Sequence, residues 1–276
     1  MECKLDNITI HYEITGEGRP LLMLHGRPVD HHYMAADMEP IFAQREGWKR
    51  IYPDLPGMGQ TPGVNWITTE DQVLDVVLGF IDKVIPGQRF SVAGSSYGGY
   101  LARGVVYRRA ASIDGLLLIV PVIELEFAKR AVPSHVSIVE DSAIFAEADP
   151  KWAEGFREFA VVQSKKLLEY MRANVFPAME RADETFLDTL RAHPAFSFDV
   201  DKLPQPFTKP TLILTARQDS DAGYKDSWRI LENYPRGTFV VLDRAGHVLA
   251  VEQEHIFQTM VNEWLDRVEE GSQAQN

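Results

Sequence analysis

Residues 93–100, Ala93-Gly94-Ser95-Ser96-Tyr97-Gly98-Gly99-Tyr100, lie between two apolar runs. The run before them, Phe90-Ser91-Val92-Ala93, has strand character; the run after them, Leu101-Ala102-Arg103-Gly104-Val105-Val106, reads as a helix. Two serines therefore sit where a strand turns into a helix. Gly94-Ser95-Ser96-Tyr97-Gly98 matches G-x-S-x-G with Ser96 at its centre, and Ser95 does not fit because Ala93 and Tyr97 would occupy its glycine positions. In that setting the pattern is a nucleophile elbow. The turn holds the serine in a strained backbone, and the flanking glycines let strand and helix approach closely.

A serine hydroxyl is a weak nucleophile near neutral pH and needs a base, which in turn needs an orienting acid. In this motif class the chain order is serine, acid, histidine. His247, in Arg244-Ala245-Gly246-His247, follows the last expected strand and is the candidate base; His255 falls inside the last helix and reads as a surface or packing residue. The candidate acid is Asp219, in Thr215-Ala216-Arg217-Gln218-Asp219, just past a strand end where α/β sites assemble. Asp221 is its local competitor and Glu124 and Glu126 are distant ones. The structural alternative for Asp219 is a cap on a helix near Ser220 to Leu231. Backbone N–H groups should face the oxyanion of a tetrahedral intermediate. Tyr97 N–H is one candidate and Arg27 N–H, in His25-Gly26-Arg27-Pro28, is the other, because Pro28 cannot donate. The Arg27 side chain either reaches solvent or contacts substrate. A histidine base predicts activity that falls below about pH 6 to 7.

The 276 residues suit one α/β domain with an inserted subdomain, and 45% hydrophobic with 25% charged residues is ordinary for a folded globular chain. A net charge of −12 argues against nucleic acid and anionic membrane surfaces as partners. The single cysteine, Cys3, excludes an intramolecular disulfide and suits a reducing compartment. The first residues, MECKLDNITI, show no apolar signal region, and the longest apolar run, Leu116 to Ile123, is too short to span a bilayer. A cytoplasmic protein, monomeric or homodimeric, is the expectation.

Alternation over Ile8 to Ile14 predicts a half-exposed strand, and Gly16-Glu17-Gly18 predicts a hairpin turn after it. Solid apolar runs at Leu21–Leu24, Phe90–Ala93, Leu116–Val120 and Leu212–Leu214 predict strands buried on both faces, as in a parallel sheet; Trp48–Tyr52 and Thr238–Leu242 add two more. Val73, Val76, Val77, Phe80, Ile81 and Val84 recur at helical spacing over Glu70–Val84, with Thr68 or Thr69 as cap and Pro86-Gly87 as terminator. Leu249–Val268 predicts one closing helix, and Glu269–Asn276 a frayed tail. The alternation stops between Val122 and Pro206, where aromatic residues from Phe127 and Phe145 to Phe196 and Phe198 lie on helical patterns broken by Pro133, Pro150, Pro177 and Pro194. Too long for a loop, residues 122–206 read as a helical cap inserted into a core of residues 1–121 and 207–276, with most of its aromatics packing the cap itself.

With these pieces in place the chain resembles the α/β-hydrolase superfamily. The matching residues are His25-Gly26, Asp54-Leu55-Pro56-Gly57-Met58-Gly59, the Gly94 to Gly99 elbow, Asp219 and Ala245-Gly246-His247. The resemblance implies an α/β fold with an eight-stranded, mostly parallel sheet, a cap over the site, and a triad of Ser96, Asp219 and His247. A serine at the elbow speaks against the epoxide hydrolase and haloalkane dehalogenase branches. His25 to His32, Gly94 to Tyr100 and Arg217-Gln218-Asp219-Ser220 are further similar to bacterial serine esterases that open macrolide lactones, as is the Asp219 to His247 spacing (247 − 219 = 28). A small-molecule ester or lactone is the implied substrate, with no cofactor.

Other readings are weaker. Asp30-His31-His32 invites a metal, but adjacent histidines should point apart and no further ligand has suitable spacing, so no metal is expected. Gly57-Met58-Gly59 lacks the third glycine of a dinucleotide fingerprint. Glu252 and Glu254 read as solvated helix carboxylates. The same triad could serve a C–C bond hydrolase, an acyltransferase, or an aminopeptidase gripping an amine with Glu124, Glu126, Glu140 and Asp141. A non-enzymatic receptor on the same fold would have no need of all three triad residues.

Overall fold

The computed structural model describes residues 1–147 and 149–273. The elements run β1 (Glu2–Lys4), β2 (Thr9–Thr15), β3 (Arg19–Leu24), α1 (His31–Phe42), β4 (Trp48–Pro53), α2 (Glu70–Val84), β5 (Phe90–Ser95), α3 (Tyr97–Arg109) and β6 (Ile113–Ile119). Then follow α4 (Ser142–Glu147), α5 (Pro150–Phe159), α6 (Lys165–Asn174), α7 (Phe176–Arg181) and α8 (Glu184–Arg191). β7 (Thr211–Ala216), α9 (Tyr224–Arg229), β8 (Gly237–Leu242), α10 (Leu249–Glu252) and α11 (Glu254–Gln273) complete the chain.

The eight strands form one sheet in the order β1-β2-β4-β3-β5-β6-β7-β8. β1, β2 and β4 pair antiparallel, and every pair from β4–β3 to β7–β8 is parallel. Solid apolar strands are what a sheet covered on both faces requires. Along β3, Leu22 and Leu24 join the core under α2 and α3, while Leu21 and Met23 join the core under α1 and α11. Burying each such leucine contributes roughly 1.5–3 kcal/mol. α2 starts where its cap predicts. Thr69 Oγ1 accepts the Gln72 N–H, and the Gln72 side chain returns to the Thr69 N–H, a closed capping box.

Gly16-Glu17-Gly18 does not close a hairpin. β4 lies between β2 and β3, so the turn crosses over a strand instead of joining neighbours. Gly18 has φ +111, and a Cβ there would meet Gly47 O at 2.2 Å, so its glycine serves a close crossing. The closing helix is broken at Gln253, which leaves helical dihedrals (φ −130, ψ 45) while its side chain donates to the carbonyls of Asp243 and Arg244. α11 continues beyond Glu269 to Gln273, tied down where Glu269 accepts from Trp48 Nε1 and Arg45 Nη1, both at 2.8 Å. Residues 274–276 of the expected frayed tail lie outside the described residues. No helix among the described residues is long and apolar enough to cross a membrane.

Between β6 and β7 the packing divides in two. Phe156, Leu167, Met171 and Phe176 cluster with Val29 and Val248, which lie just before α1 and α10, and with Tyr33 of α1. Phe186, Leu187, Leu190 and Phe196 instead join the main core with α2 and α3, and Phe196 stacks on Tyr100 at 4.4 Å. Trp152, Phe156, Phe159, Tyr170 and Phe176 thus keep to the first cluster, while Phe186, Phe196 and Phe198 leave it, so that α8 and the return segment behave as core. The Phe145 side chain lies outside the described residues. Val139 and Val162 form an isolated parallel bridge in the otherwise helical excursion.

Candidate active site

Ser96 stands between β5 and α3 with φ 53 and ψ −118, a conformation that costs a non-glycine residue about 1–3 kcal/mol. Its backbone is held from both sides: its N–H donates to Ile119 O at 2.9 Å, and its carbonyl accepts from Val122 N–H at 3.1 Å and Gly99 N–H at 2.9 Å. The turn is tight enough that a Cβ on Gly98 would lie 2.0 Å from Leu24 O. Glycine there is what lets α3 rest on the end of β3.

His247 reaches the turn from the β8–α10 loop. Its Nε2 is 2.8 Å from Ser96 Oγ, and its Nδ1 is 2.9 Å from Asp219 Oδ2. Asp219 is fully buried, and its second oxygen accepts the N–H groups of Asp221 and Ala222, each at 2.9 Å. Those bonds close a turn in the acid's own loop. Asp219 does not cap a helix, since α9 begins only at Tyr224 with Gly223 as its N-cap. Nδ1–H toward Asp219 leaves the Nε2 lone pair facing the serine hydroxyl, the tautomer a general base needs. Burial lowers the His247 pKa, but the nearby Asp219 and Asp221 carboxylates outweigh it and push it up to about 9. If His247 serves as the base, the acid limb expected near pH 6 to 7 from an ordinary histidine would lie at higher pH.

The competing acids lie elsewhere. Glu124 pairs with Arg229 at 3.1 Å and Glu126 with Lys129 at 2.6 Å. Asp221 does approach His247, but at the other nitrogen: its Oδ2 is 3.4 Å from Nε2, while its Oδ1 takes Arg130 Nη1 at 2.7 Å. His255 is exposed.

The loop after β3 passes over Ser96 so closely that a Cβ on Gly26 would be 3.1 Å from Ser96 Cβ. Neither the Arg27 nor the Tyr97 amide donates to a backbone carbonyl among the described residues. Their side chains are clasped together. The Arg27 guanidinium lies 3.8 Å from the Tyr97 ring centroid and 3.1 Å from Glu70, and Tyr97 Oη donates to the same buried Glu70 at 2.5 Å. The Arg27 side chain thus braces its neighbours. His25, whose role the sequence left open, fixes the loop from below. Its Nδ1 is 2.7 Å from Gly26 O and its Nε2 accepts Leu55 N–H at 2.9 Å, and burial lowers its pKa, which keeps it neutral.

Two cavities meet at Ser96. One, of about 480 Å³, is apolar and aromatic, walled by Trp152, Phe159, Met171, Val175, Phe176 and Met179. The other, of about 410 Å³, is more polar, walled by Arg27, Leu125, Phe127, Arg130, Arg191 and Asp221. Phe159 also stands edge-on to the His247 ring at 5.6 Å.

Two expectations about charged residues are corrected. Glu252 is not a free surface carboxylate: it accepts Gly246 N–H at 2.6 Å and the N–H groups of Val161 and Val162 at 2.8 and 2.9 Å. It ties the residue before His247 to the chain that follows α5. Glu254 pairs with Lys166. The His31 and His32 rings do not diverge but lie 4.0 Å apart, because Asp30 Oδ1 accepts from both His32 N–H and His32 Nδ1 and folds that ring back over the helix start. Further donors also come in from distant sequence: donor atoms of His11, His31 and Asp54 lie within 4.8 Å of one another, as do those of Asp30, His31 and His32. Each ring already directs Nδ1 to a carboxylate, at 2.7 to 3.1 Å.

The alpha/beta hydrolase family profile matches residues 21–257. Among curated proteins, the chain is 23% identical over 267 residues to a pimeloyl-[acyl-carrier protein] methyl ester esterase of Legionella pneumophila (strain Paris), covering 94% of this chain and 100% of the relative. It is 24% identical over 264 residues to a 2-hydroxy-6-oxononadienedioate/2-hydroxy-6-oxononatrienedioate hydrolase of Cupriavidus pinatubonensis, covering 93% and 90%. Among solved structures, an alpha/beta superfamily hydrolase from Oenococcus oeni PSU-1 superposes with TM-score 0.88 at 28% identity, over 98% of this chain and 99% of that one. The fold, the elbow and the breadth of that match lead to one conclusion: the chain belongs to the alpha/beta hydrolase family.

Proposed function

We propose that this chain is a serine hydrolase of carboxylic esters that works through an acyl-enzyme. The observation that carries the reading is the unbroken hydrogen-bonded line from Ser96 Oγ through His247 to buried Asp219, set where two cavities meet. In the proposed reaction Ser96 Oγ attacks the ester carbonyl carbon and its proton passes to His247 Nε2. The oxyanion takes the N–H groups of Tyr97 and Arg27. The C–O bond then breaks, and Nε2 returns the proton to the departing alkoxide. Water, giving its proton to the same nitrogen, then attacks the acyl carbon; the C–Oγ bond breaks, Nε2 passes that proton to Ser96 Oγ, and the carboxylic acid leaves. Residues 122–206 act as the cap that carries most of the two cavity walls. The Legionella relative is named as a methyl ester esterase, which favours an ester over other carbonyl substrates.

The acyl and alcohol halves would lie in different lobes, one apolar and one polar. Within that class a macrolide lactone is the bulky limit, accommodated only if one ring occupies both lobes, about 480 and 410 Å³. The aminopeptidase alternative loses its acidic grip where Glu124 and Glu126 are already ion-paired.

A fluorophosphonate probe tests the core of the reading. Wild type should be labelled on Ser96, Ser96→Ala should not, and Ser95→Ala should remain labelled. Label that survives Ser96→Ala refutes the nucleophile. Mass spectrometry of aryl esters, aliphatic lactones, a prolyl amide and several macrolides, scanning for a Ser96-dependent gain of one water, then identifies the substrate.

A further inference from the structure

Asp221 borders both cavities at the point where they meet. Its Oδ2 lies 3.4 Å from His247 Nε2, the nitrogen that also faces Ser96 Oγ. The carboxylate is fixed there from behind. Arg130 Nη1 binds its Oδ1 at 2.7 Å and its carbonyl at 2.9 Å, and the same guanidinium is anchored by Nε to Glu124 O at 2.8 Å and Nη2 to Leu125 O at 3.1 Å. A side chain tethered this way is aimed.

Toward a neutral imidazole the position is idle, since a carboxylate gains nothing from a lone pair. It acts once Nε2 carries a proton. We propose that Asp221 is a further catalytic residue, a second carboxylate that accepts from the Nε2–H of the His247 imidazolium while Asp219 holds Nδ1–H. The inference rests on the serine-hydrolase reading above. During acylation the proton leaves Ser96 Oγ for Nε2, and Asp221 stabilises the cation so formed. No bond to Asp221 is made or broken, and the proton stays on Nε2 until the leaving alkoxide takes it. The same contact has a cost in the resting enzyme, because it retains that proton to higher pH and lengthens the inactive limb.

The other groups around the ring define its setting. Asp219 raises the imidazole pKa from the acid loop, and Arg130 lowers it from the loop after β6. Glu252 binds the N–H of Gly246, one residue before His247. Phe159 of α5 presents only an aromatic edge, and Arg27 and Lys151 line the apolar cavity with it, paired to Glu70 and Glu180 respectively.

The experiment measures the rate of Ser96 phosphonylation by a fluorophosphonate across pH for wild type, Asp221→Asn and Asp219→Asn, with ¹⁵N-histidine NMR titration of the His247 ring in the same proteins. Asp221→Asn should move the acid limb and the imidazole titration to lower pH by roughly one unit, and lower the plateau rate about three- to tenfold. Asp219→Asn should depress the rate at every pH. Limbs and plateaus of Asp221→Asn that superimpose on wild type, or a limb that moves upward, overturn the proposal. If wild type takes no label, the hydrolase reading fails, and the NMR titration still decides whether Asp221 holds the Nε2 proton.

Discussion

Gly26→Ala separates the geometry of the site from the stability of the fold. The added methyl would sit 3.1 Å from Ser96 Cβ, 3.6 Å from Ser96 Oγ and 3.6 Å from Ser95 O. Carbon atoms rest comfortably at about 3.5–4.0 Å, so loop and serine must separate by about half an ångström. Gly26 has no positive φ, so the backbone itself accepts alanine. Overpacking of this size costs about 1 kcal/mol of stability. The displacement falls on Ser96, the proposed nucleophile, whose hydroxyl is 2.8 Å from His247, and on the Arg27 amide one residue on. A misplacement of 1 Å costs on the order of 10²-fold in rate; half of it should cost about tenfold in kcat/KM, or about 1.4 kcal/mol. The assay is kcat/KM on the best aryl ester beside a thermal unfolding midpoint. Gly98→Ala is the companion: its methyl would meet the Leu24 carbonyl at 2.0 Å, backbone against backbone, and should abolish soluble folded protein. Gly26→Ala at full wild-type activity would refute the claim that the β3 loop bears on the nucleophile, and a stable Gly98→Ala would refute the tight elbow.

Asp219→Asn should keep the fold and cut kcat by about 10⁴-fold, because an amide facing Nδ1 favours the wrong imidazole tautomer; a loss below tenfold on the same ester would remove Asp219 from the acid role. Glu252→Ala leaves three backbone N–H groups without their acceptor and should cost about 2–4 kcal/mol in urea unfolding, with kcat falling more than KM changes. Asp37 is buried with one carboxylate oxygen unpartnered, and burial pushes its pKa up to about 7. A raised folded-state value means that stability is present below the usual carboxylate pKa near 4 and is lost as pH rises through about 7. Asp37→Asn should therefore stabilise the protein above pH 7, by at most about 4 kcal/mol, with the gain closing toward pH 4; a gain independent of pH in thermal unfolding would contradict this.

The parts of the molecule legible in the sequence were those governed by local pattern. Continuous apolar runs placed the central strands, and 3.6-residue spacing, with Thr68 or Thr69 offered as cap, placed α2 at its observed bounds with Thr69 as the cap. The elbow was readable because strand, glycines and helix are contiguous. What escaped depended on distant chain. The insertion of β4 between β2 and β3 undid the expected hairpin, and nothing near Gly16 encodes it. Glu252 looked like any helix carboxylate until Gly246, Val161 and Val162 brought three donors to it. Asp221 read as a rival of Asp219, since two residues of spacing cannot say which imidazole nitrogen each carboxylate faces. His31 and His32 defied the splay of neighbouring helix residues because the N-cap Asp30 binds both the backbone and the ring of His32.

The Arg27–Tyr97–Glu70 clasp carries a consequence for how the proposed oxyanion site responds to charge. The two residues whose amides would receive the oxyanion are joined to each other through a cation–π contact and a shared carboxylate. Their dipoles are thus oriented by bonds formed during folding, and little reorientation remains when negative charge develops. In water the same solvation would require molecules to turn toward the new charge at the moment of reaction. Here the polar environment is already turned, so in the proposed reaction the gap between the two amides would act as a fixed template, selecting substrates by how well their carbonyl oxygen reaches it.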